Sequence, residues 1–503
     1  MAAAIGVTAE VPVQRVSGIT ADSRVVEHDW LYVALHGAHT HGARFAGQAV
    51  ADGAVAVLTD AEGAGVVGTL PVPILAVSDV RSAMAEASAL IFARPSERLT
   101  MLGVTGTNGK TTTVALLQAG LAAAGRRAGS IGTIGFRLGD DTLVSGRSTV
   151  TTPDSPDLQA LLATMAERGA DAVALEVSSH ALALQRVDAI AFDVVGFLNL
   201  GRDHLDFHRD VQDYFEAKAR LFEPGRAAKA VIWVDDEAGR EILGRIRSTE
   251  SMEAITVGTS DNADYRLGEV RALGRTGGSA EVVARGQRIT LDIALPGRYN
   301  MIDALIALAM LEAVGIARSD VLTGLATAQV PGRMESVALE GAEAPLVVVD
   351  FAHTPQAVAA ALQALRGKGQ LIAVLGCGGD RDADKRPLMG AAAAEGSDVV
   401  IVTDDNPRSE DPGAIRAAVR EGARAAAQRS GATVLEVAGR GAAIQEALRR
   451  AEGDTVVAVL GKGHERGQIL ADRIIDFDDR IEVRKAWREL DLSHSQGGGD
   501  DDA

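Results

Sequence analysis

The sequence has little cysteine, few aromatic residues and no long apolar run, and each scarcity excludes a class of protein. Its 503 residues include one cysteine, Cys377, so an internal disulfide and a cysteine-rich zinc site are both excluded. No segment approaches the roughly 18 consecutive apolar residues of a membrane span, and the first ten residues lack the pattern of a signal peptide. We therefore expect a cytoplasmic protein that is not inserted in a membrane.

Basic residues are outnumbered as well. The chain has 50 lysines and arginines against 68 aspartates and glutamates, a formal charge of −18. That balance argues against nucleic acid as a partner, because phosphate backbones need a concentrated basic face. Only seven of the basic residues are lysines. Arginine is thus the default cation of this chain, and a lysine inside a motif is informative.

The length leaves room for about three domains. Segments that contain proline and glycine mark the domain boundaries. They divide the chain into residues 1–97, 98–332, 333–492 and a tail, 493–503. We predict an α/β fold throughout, with a small N-terminal domain, a central mononucleotide-binding domain with a parallel sheet, and a Rossmann-like doubly wound C-terminal domain. The tail ends in GGGDDDA and has nothing apolar to bury, so it is expected to be disordered.

Apolar runs alternate with helical patterns, as a parallel sheet requires. The first domain contains short apolar runs at 31–35 and 54–58. A strand is predicted from residue 99, and further strands are predicted at 172–177, 192–200, 346–350, 371–375, 399–403 and 456–460. Helices are predicted at 110–124, at 157–168 and after Pro412.

A glycine-rich turn follows the strand that starts at residue 99. Its residues are Gly106, Thr107, Asn108, Gly109, Lys110, Thr111 and Thr112. Backbone N–H groups and the dipole of a helix N-terminus attract phosphate, a lysine can contact the β and γ oxygens, and a hydroxyl can bind Mg²⁺. Position 104 is valine where the strict P-loop pattern has glycine. The turn therefore predicts a variant ATP-binding loop.

Acidic and histidine side chains follow two other predicted strands. Glu176 closes one strand and precedes Ser178-Ser179-His180, and the segment NLGRDHLDFH at 199–208 follows the next. Open α/β sheets bind ligands at the carboxyl ends of their strands, so these side chains can serve as metal ligands or phosphate donors. A helix N-cap cluster and ordinary solvated loop polarity are the alternative interpretations.

These motifs resemble those of the Mur ligase family, which includes the folylpolyglutamate synthetases. The resemblance rests on GTNGKTT at 106–112, EVSSH at 176–180 and DHLD at 203–206. Three later motifs, GCGGDRD at 376–382, DNPR at 405–408 and GKGHE at 461–465, are similar to those of the family members that add diaminopimelate. The resemblance covers nearly the whole chain.

The resemblance implies an ATP-dependent ligase of peptidoglycan precursor synthesis. It would add meso-2,6-diaminopimelate to the D-Glu of UDP-N-acetylmuramoyl-L-Ala-D-Glu through an acyl phosphate, as a monomer with only small-molecule substrates. Three alternatives stay open: a lysine-adding relative, a folylpolyglutamate synthetase and a non-catalytic nucleotide-binding protein. Arg408 argues against the first, the whole DNPR motif against the second, and the retained Lys110, Glu176 and Lys218 against the third.

The family pattern also implies binding roles for particular residues. The UDP-sugar should contact Ser23, Ala38, His39 and Thr40, and the muramyl dipeptide Thr151, Thr152, Ser178 and Arg186. The nucleotide should contact Asn300, Arg333 and Asp350 besides the glycine-rich turn. Diaminopimelate should contact Arg381, Asp405, Asn406, Pro407, Arg408, Gly461 and Glu465. The family often has glutamine two residues before Arg186, where this chain has Leu184, so the adjacent Gln185 receives no role.

A catalytic group of Lys110, Glu176, His204 and Lys218 is implied by the same resemblance, with Mg²⁺ bound by Thr111, Glu176, His204 and Lys218. Lys218 is expected to react with CO₂ and become N6-carboxylysine. The chemistry supports a lysine at this position. Carbamate formation needs a neutral amine, which a lysine supplies when its pKa of about 10.4 is lowered, whereas arginine stays charged.

Overall fold

The structure is a computed structural model, and it describes residues 1–7, 15–37, 40–143, 150–274, 276–341, 344–367 and 369–497. The chain divides into two compact units. The first contains Met1–Arg266 and Ile306–Gly324, and the second contains Leu267–Leu305 and Leu325–Ala503. Neither unit boundary coincides with the boundaries expected at residues 97 and 332, which remain predictions.

Four parallel strands form a small sheet near the N-terminus, in the order β1-β2-β3-β4. The elements are β1 (Gly18–Thr20), β2 (Trp30–Val33), α1 (Ala46–Ala51), β3 (Ala54–Thr59), α2 (Ala61–Val67), β4 (Ile74–Ala76) and α3 (Val80–Ile91). Alternate residues of β2 enter different cores. Leu31 and Val33 pack in one cluster with Met84 of α3, whereas Tyr32 packs in another with Ala46 of α1. This period of two explains why the whole strand is apolar.

A larger sheet carries the glycine-rich turn. Its elements are β5 (Thr100–Thr105), α4 (Lys110–Ala123), β6 (Ala128–Gly132), β7 (Gly135–Leu138), β8 (Asp141–Leu143), α5 (Ser155–Glu167), β9 (Ala172–Glu176), α6 (Ser179–Ala183), β10 (Phe192–Phe197), α7 (Val211–Ala219), β11 (Ala227–Trp233), α8 (Glu237–Thr249) and β12 (Glu253–Gly258). In the first unit the strands lie in the order β12-β11-β10-β5-β9-β6-β7-β8. The pairings from β12 to β6 are parallel. Strand β5 lies between β9 and β10, so the loops that follow these three strands meet at one edge.

The chain continues through β13 (Tyr265–Leu273), β14 (Gly277–Ala284), β15 (Gln287–Ile293), α9 (Arg298–Ala313) and α10 (Arg318–Thr327). A second α/β sheet follows, with the elements β16 (Glu335–Val337), β17 (Leu346–Asp350), α11 (Pro355–Leu365), β18 (Leu371–Leu375), α12 (Lys385–Gly396), β19 (Val399–Val402), α13 (Pro412–Ser430), β20 (Thr433–Glu436), α14 (Arg440–Arg449) and β21 (Val456–Leu460). The hairpin β22 (Gly467–Ile469) and β23 (Ile474–Asp476) and the helix α15 (Asp479–Gly497) complete it. The sheet order is β16-β17-β21-β18-β19-β20, and only β16 is antiparallel.

Most predicted strands are confirmed, and the differences lie at their ends. The strands predicted at 346–350, 371–375 and 456–460 have these bounds in the structure. Those predicted at 172–177, 192–200 and 399–403 end earlier, at Glu176, Phe197 and Val402. After β10 the reason is visible, because Asn199 turns its side chain to accept a hydrogen bond from Asn108 N at 2.9 Å.

The last helix, α15, runs to Gly497. The disordered tail expected at residues 493–503 stays a prediction. Residues 498–503 lie outside the described residues. In the part of the chain that the structure describes, no helix is long and apolar enough to cross a membrane.

Candidate active site

The glycine-rich loop joins β5 to α4 and places Lys110 at the first position of the helix. Gly109 has a φ of +91°, a left-handed conformation that favours glycine. A Cβ at Gly106 would lie 2.8 Å from Leu198 Cβ, so this position also requires glycine. Lys110 Nζ donates hydrogen bonds to the carbonyl oxygens of Gly106 and Thr107 at 2.7 and 2.9 Å. The ammonium is therefore held against the loop by local bonds.

Asn199, directly after β10, fixes the conformation of this loop. Its backbone oxygen accepts from Thr107 N at 2.9 Å, its Oδ1 accepts from Asn108 N at 2.9 Å, and its Nδ2 donates to Asn108 O at 3.1 Å. The sequence placed Asn199 in a polar segment but gave it no role. Its position directly after an apolar strand was the available signal.

Lys218 reaches the same loop from α7. It is 1% exposed, and its Nζ donates to Gly106 O at 2.8 Å, so two lysines share one carbonyl oxygen. The Nζ also lies 4.3 Å from the centre of the Tyr214 ring. Burial, with a smaller contribution from the Lys110 ammonium, lowers the pKa of Lys218 well below its ordinary value. The site therefore favours the neutral amine.

Glu176 is the last residue of β9 and is 1% exposed. Its Oε1 accepts from Thr133 N at 2.9 Å and its Oε2 accepts from Thr133 Oγ1 at 3.0 Å. Its carboxylate is thus buried but hydrogen-bonded, as a buried charge must be. Sequence reasoning missed Thr133, since nothing in its neighbourhood distinguishes it from a turn residue between β6 and β7.

His204 follows β10 and has a φ of +55°, in the left-handed region. Burial, opposed by the charge of Asp203, lowers the pKa of His204 to about 4. Its imidazole is therefore neutral at pH 7 and able to bind a metal through a ring nitrogen. Its ring centre lies 4.8 Å from that of His180.

The residues predicted for the muramyl dipeptide lie around Glu176. Thr151 Oγ1 lies 3.1 Å from Thr133 Oγ1, and Thr152 Oγ1 donates to Glu176 O at 2.7 Å. Arg186 Nη1 donates to Thr152 O at 2.9 Å. Ser178 Oγ lies 3.3 Å from Thr152 Oγ1 and also caps α6, accepting from Ala181 N at 3.1 Å. The four predicted residues are therefore adjacent. Ser178 caps α6 and also lies next to the other three.

No group of three or more His, Cys, Asp or Glu side chains in the described residues has the arrangement of a metal site. The predicted magnesium ligands include only two such residues, Glu176 and His204, beside the Thr111 hydroxyl and Lys218. The magnesium site thus stays a prediction.

The predicted UDP-sugar residues are only partly described. Ser23 contacts Tyr32, whose hydroxyl donates to Gly42 O at 2.9 Å, two residues after Thr40. Burial raises the pKa of Tyr32 to about 12, so its hydroxyl stays protonated. Ala38 and His39 lie outside the described residues.

Of the three predicted nucleotide residues in the second unit, Asp350 and Arg333 lie close to each other. Asp350 is buried at the end of β17 and accepts from Met334 N at 2.7 Å and Ala352 N at 2.8 Å. Burial raises the pKa of Asp350, and the charge of Arg333 opposes that shift. Arg333 lies over the Phe351 ring at 4.3 Å. Asn300 is buried and donates to Pro296 O at 2.7 Å.

The predicted amino-acid pocket lies at the carboxyl ends of β18, β19 and β21. Asp405, Asn406 and Pro407 are buried after β19, and Gly461 directly follows β21. Arg408 has a φ of +52° and its Nη1 donates to Gly379 O at 2.7 Å, in the loop that also carries the exposed Arg381. Asn406 Nδ2 donates to Glu465 Oε2 at 2.8 Å. The seven predicted residues thus come from three loops at one edge of the sheet.

Family models match three consecutive parts of the chain. They are described as the Mur ligase family catalytic domain at residues 15–91, the Mur ligase middle domain at residues 104–311, and the Mur ligase glutamate ligase domain at residues 332–463. The predicted organisation into three α/β domains is confirmed.

Several curated proteins are similar over nearly their whole length. A UDP-N-acetylmuramoyl-L-alanyl-D-glutamate--2,6-diaminopimelate ligase of Streptomyces coelicolor is 44% identical, over 96% of this chain and 95% of that protein. The Corynebacterium glutamicum protein of the same name is 42% identical, over 95% and 92%. A solved structure with this name is 32% identical, with a TM-score of 0.70 over 97% of this chain and 98% of that one. The Mycobacterium tuberculosis folylpolyglutamate synthase is 19% identical with a TM-score of 0.60, covering 81% of this chain and 94% of that one, and shares the fold. The chain belongs to the Mur ligase family.

Proposed function

We propose that this protein adds meso-2,6-diaminopimelate to the D-Glu of UDP-N-acetylmuramoyl-L-Ala-D-Glu, with conversion of ATP to ADP and phosphate. The observation that carries the proposal is the pocket of Asn406, Arg408 and Glu465, in a chain that is 42–44% identical to ligases named for this reaction. The ATP dependence is a property of the Mur ligase family.

The reaction begins at the glycine-rich loop. The distal carboxylate of the D-glutamyl residue attacks the γ-phosphorus of ATP. The bond between the γ-phosphorus and the bridging oxygen of the β-phosphate breaks, ADP departs, and an acyl phosphate is formed on the D-glutamyl residue. Phosphoryl transfer requires positioning and neutralisation of charge rather than a side-chain nucleophile. Lys110 supplies that charge when its ammonium exchanges the carbonyls of Gly106 and Thr107 for phosphate oxygens. The amine of diaminopimelate then displaces phosphate and forms the amide.

Lys218 is proposed to carry a carbamate. Its neutral amine attacks CO₂, an N–C bond forms, one C–O π pair moves to oxygen, and the nitrogen loses a proton. Burial supports this step, because it disfavours the ammonium form more than the charge of Asp203 favours it. The product places an anion beside the Lys110 ammonium, where a protonated Lys218 would place a second cation.

Mg²⁺ fits the chemistry of the residues at this edge. The Thr111 hydroxyl, the Glu176 carboxylate and the carbamate of Lys218 would offer oxygen donors, which Mg²⁺ prefers. The neutral imidazole of His204 would complete the set. A bound Mg²⁺ would neutralise charge on the transferred phosphoryl group. Thr133 holds the Glu176 carboxylate in place through two hydrogen bonds.

Arg408 is proposed to select diaminopimelate over L-lysine. The two amino acids differ by one distal carboxylate, which a guanidinium can bind through two parallel charged hydrogen bonds. L-Lysine has no distal carboxylate and would leave the guanidinium without a carboxylate partner. A site built around a polar partner can reject an analogue that lacks it by on the order of 10⁴-fold.

The cytoplasm is the proposed location, since nucleotide substrates are made there, and a monomer is the proposed state. Size-exclusion chromatography with light scattering tests the second statement, and a mass twice that of the 52.1 kDa chain would contradict it.

Phosphate release tests the proposed function. It should require ATP, UDP-N-acetylmuramoyl-L-Ala-D-Glu and diaminopimelate together, and Lys110→Ala should abolish it. Release that continues without the amino acid, or without the muramyl dipeptide, would reject the ligase in favour of a simple ATPase.

A further inference from the structure

Lys462 is a fully buried cation that the mechanism above does not use. It lies between Gly461 and Gly463 in the loop after β21, and its exposed fraction is 0%. Its Nζ donates to Gly467 O at 2.6 Å, Glu465 Oε2 at 3.0 Å and Asn406 Oδ1 at 3.1 Å. An ammonium has three donors, so these three acceptors satisfy it completely. Asp405 Oδ1, at 3.8 Å, adds a second negative charge nearby.

The bond to Asn406 determines how that side chain is oriented. Asn406 Oδ1 accepts from both Lys462 Nζ and Ile469 N, the latter at 2.9 Å. Both lone pairs of the oxygen are then occupied. The amide nitrogen must point the other way, and it donates to Glu465 Oε2 at 2.8 Å. Without the lysine, the amide would lose one of the two donors that oppose its rotation.

The same contacts tie together the segments that carry the pocket. Lys462 links the loop after β21 to Asn406 and to Gly467 of β22. Strand β22 in turn holds the loop after β19, because Gln468 Nε2 donates to Asp405 O at 2.5 Å and Arg408 N donates to Ile469 O at 3.0 Å. Lys462 is therefore the point at which these three segments meet.

We propose that Lys462 is a positioning residue for the amino-acid substrate. It sets the direction of the Asn406 amide and fixes one oxygen of Glu465, so that the remaining N–H of Asn406 and the Glu465 Oε1 face a ligand as a donor and an acceptor. An amino acid presents the matching pair, a carboxylate and an ammonium. The proposal rests on the proposed function and adds a residue that does not touch the substrate itself.

A lysine is required at this position, although arginine supplies 43 of the 50 cations of the chain. Three acceptors converge on one tetrahedral nitrogen, whereas a guanidinium spreads its donors over a planar fork. An arginine would also need more volume in a site with no exposed surface. Lys462→Arg is thus expected to disturb the pocket despite its unchanged charge.

Steady-state kinetics of Lys462→Met, which keeps the length and removes the charge, test the proposal. The KM for meso-diaminopimelate should rise about 10- to 100-fold, the loss expected when misplaced Asn406 and Glu465 side chains no longer make a charged hydrogen bond to the substrate. The KM values for ATP and for the muramyl dipeptide should stay within about twofold. Lys485→Met, a change at an exposed lysine of α15, is the matched control and should leave all three unchanged.

Two outcomes would overturn the proposal. One is a folded Lys462→Met enzyme with the wild-type KM for diaminopimelate, or with all three KM values raised equally. The other concerns folding: if Lys462→Met does not fold, Lys462→Gln replaces it, and failure of both to fold would show that the residue serves stability alone. The wild-type enzyme distinguishes failure of this proposal from failure of the proposed function. If the wild-type enzyme does not use diaminopimelate, the proposed function is refuted, whatever the variants do.

Discussion

Two lysines, one in each compact unit, are buried to nearly the same extent and are held in different ways. Lys218 is 1% exposed and Lys462 is 0% exposed. Lys218 meets a carbonyl oxygen and an aromatic ring, with another lysine sharing the carbonyl. Lys462 meets a carboxylate, an amide oxygen and a carbonyl, with a second carboxylate behind them.

The difference shows that burial alone does not decide what a lysine does. At Lys218 burial outweighs the attraction of the Asp203 carboxylate, so the ammonium is destabilised relative to the neutral amine, which is the form that reacts with CO₂. An ammonium whose three protons are all bound by acceptors, one of them a carboxylate, is a fixed structural charge. This difference supports the chemical role proposed for Lys218 and the positioning role proposed for Lys462.

The largest expected effect is that of Lys218→Arg. The variant keeps a positive charge but cannot form a carbamate, so we expect a folded protein with almost no turnover. Phosphate release measures turnover, and a thermal melt of the same sample checks that the variant is folded. In ¹³C NMR after incubation with ¹³C-bicarbonate, only the wild type should show a carbamate carbon. Lys229→Arg, at a partly exposed lysine of β11 paired with Glu253, is the control. Near wild-type turnover of Lys218→Arg would remove the contrast between the two lysines.

Arg408→Ala is expected to have the next largest effect. The KM for meso-diaminopimelate should rise about 10- to 100-fold, because a charged, two-point contact with the distal carboxylate is lost. The Arg429→Ala variant, at an exposed arginine of α13 paired with Glu395, should behave as wild type. An Arg408→Ala enzyme with an unchanged KM would place the distal carboxylate elsewhere.

The smallest expected effect is on stability, where the two lysines should differ in sign. Lys462→Met should lower the free energy of unfolding by about 1–3 kcal/mol, since it removes one hydrogen-bond donor from each of Glu465, Asn406 and Gly467 in a buried site. Lys218→Met should raise it, because a group that resists protonation in the fold is removed. Urea unfolding in CO₂-depleted buffer measures both, and a loss of stability in Lys218→Met would contradict the assignment.

The effect of Lys218 should also depend on pH. Its pKa in the folded protein is lowered well below the ordinary 10.5. Above pH 10.5 the amine is neutral in both the folded and the unfolded state, so it does not affect the free energy of unfolding. As the pH falls below 10.5, the unfolded chain binds a proton that the folded chain does not bind. This proton stabilises the unfolded state. The gain from Lys218→Met should therefore be larger at pH 7 than at pH 10.

Local sequence patterns predicted most of the strands that carry the candidate site. The strands at 346–350, 371–375 and 456–460 could be predicted because each is an apolar run bounded by polar residues, and Glu176 could be placed because it ends such a run. Lys218 stood out as a lysine in an arginine-rich chain that also matched a family motif.

Contacts between distant segments could not be predicted in this way. Thr133 binds Glu176 across 43 positions, and Lys462 binds Asn406 across 56. Pairings of this kind depend on strand order, which no local pattern specifies. Lys462 carried the same signal as Lys218, a lysine where arginine is usual, but only the structure shows which acceptors surround it.

The most direct test of the account offers both amino acids to the purified enzyme at once. With ATP, Mg²⁺, UDP-N-acetylmuramoyl-L-Ala-D-Glu and equal concentrations of meso-diaminopimelate and L-lysine, mass spectrometry should find the diaminopimelate-containing UDP-tripeptide almost alone. Comparable amounts of the two tripeptides would contradict the assigned specificity. The absence of any tripeptide would contradict the proposed function.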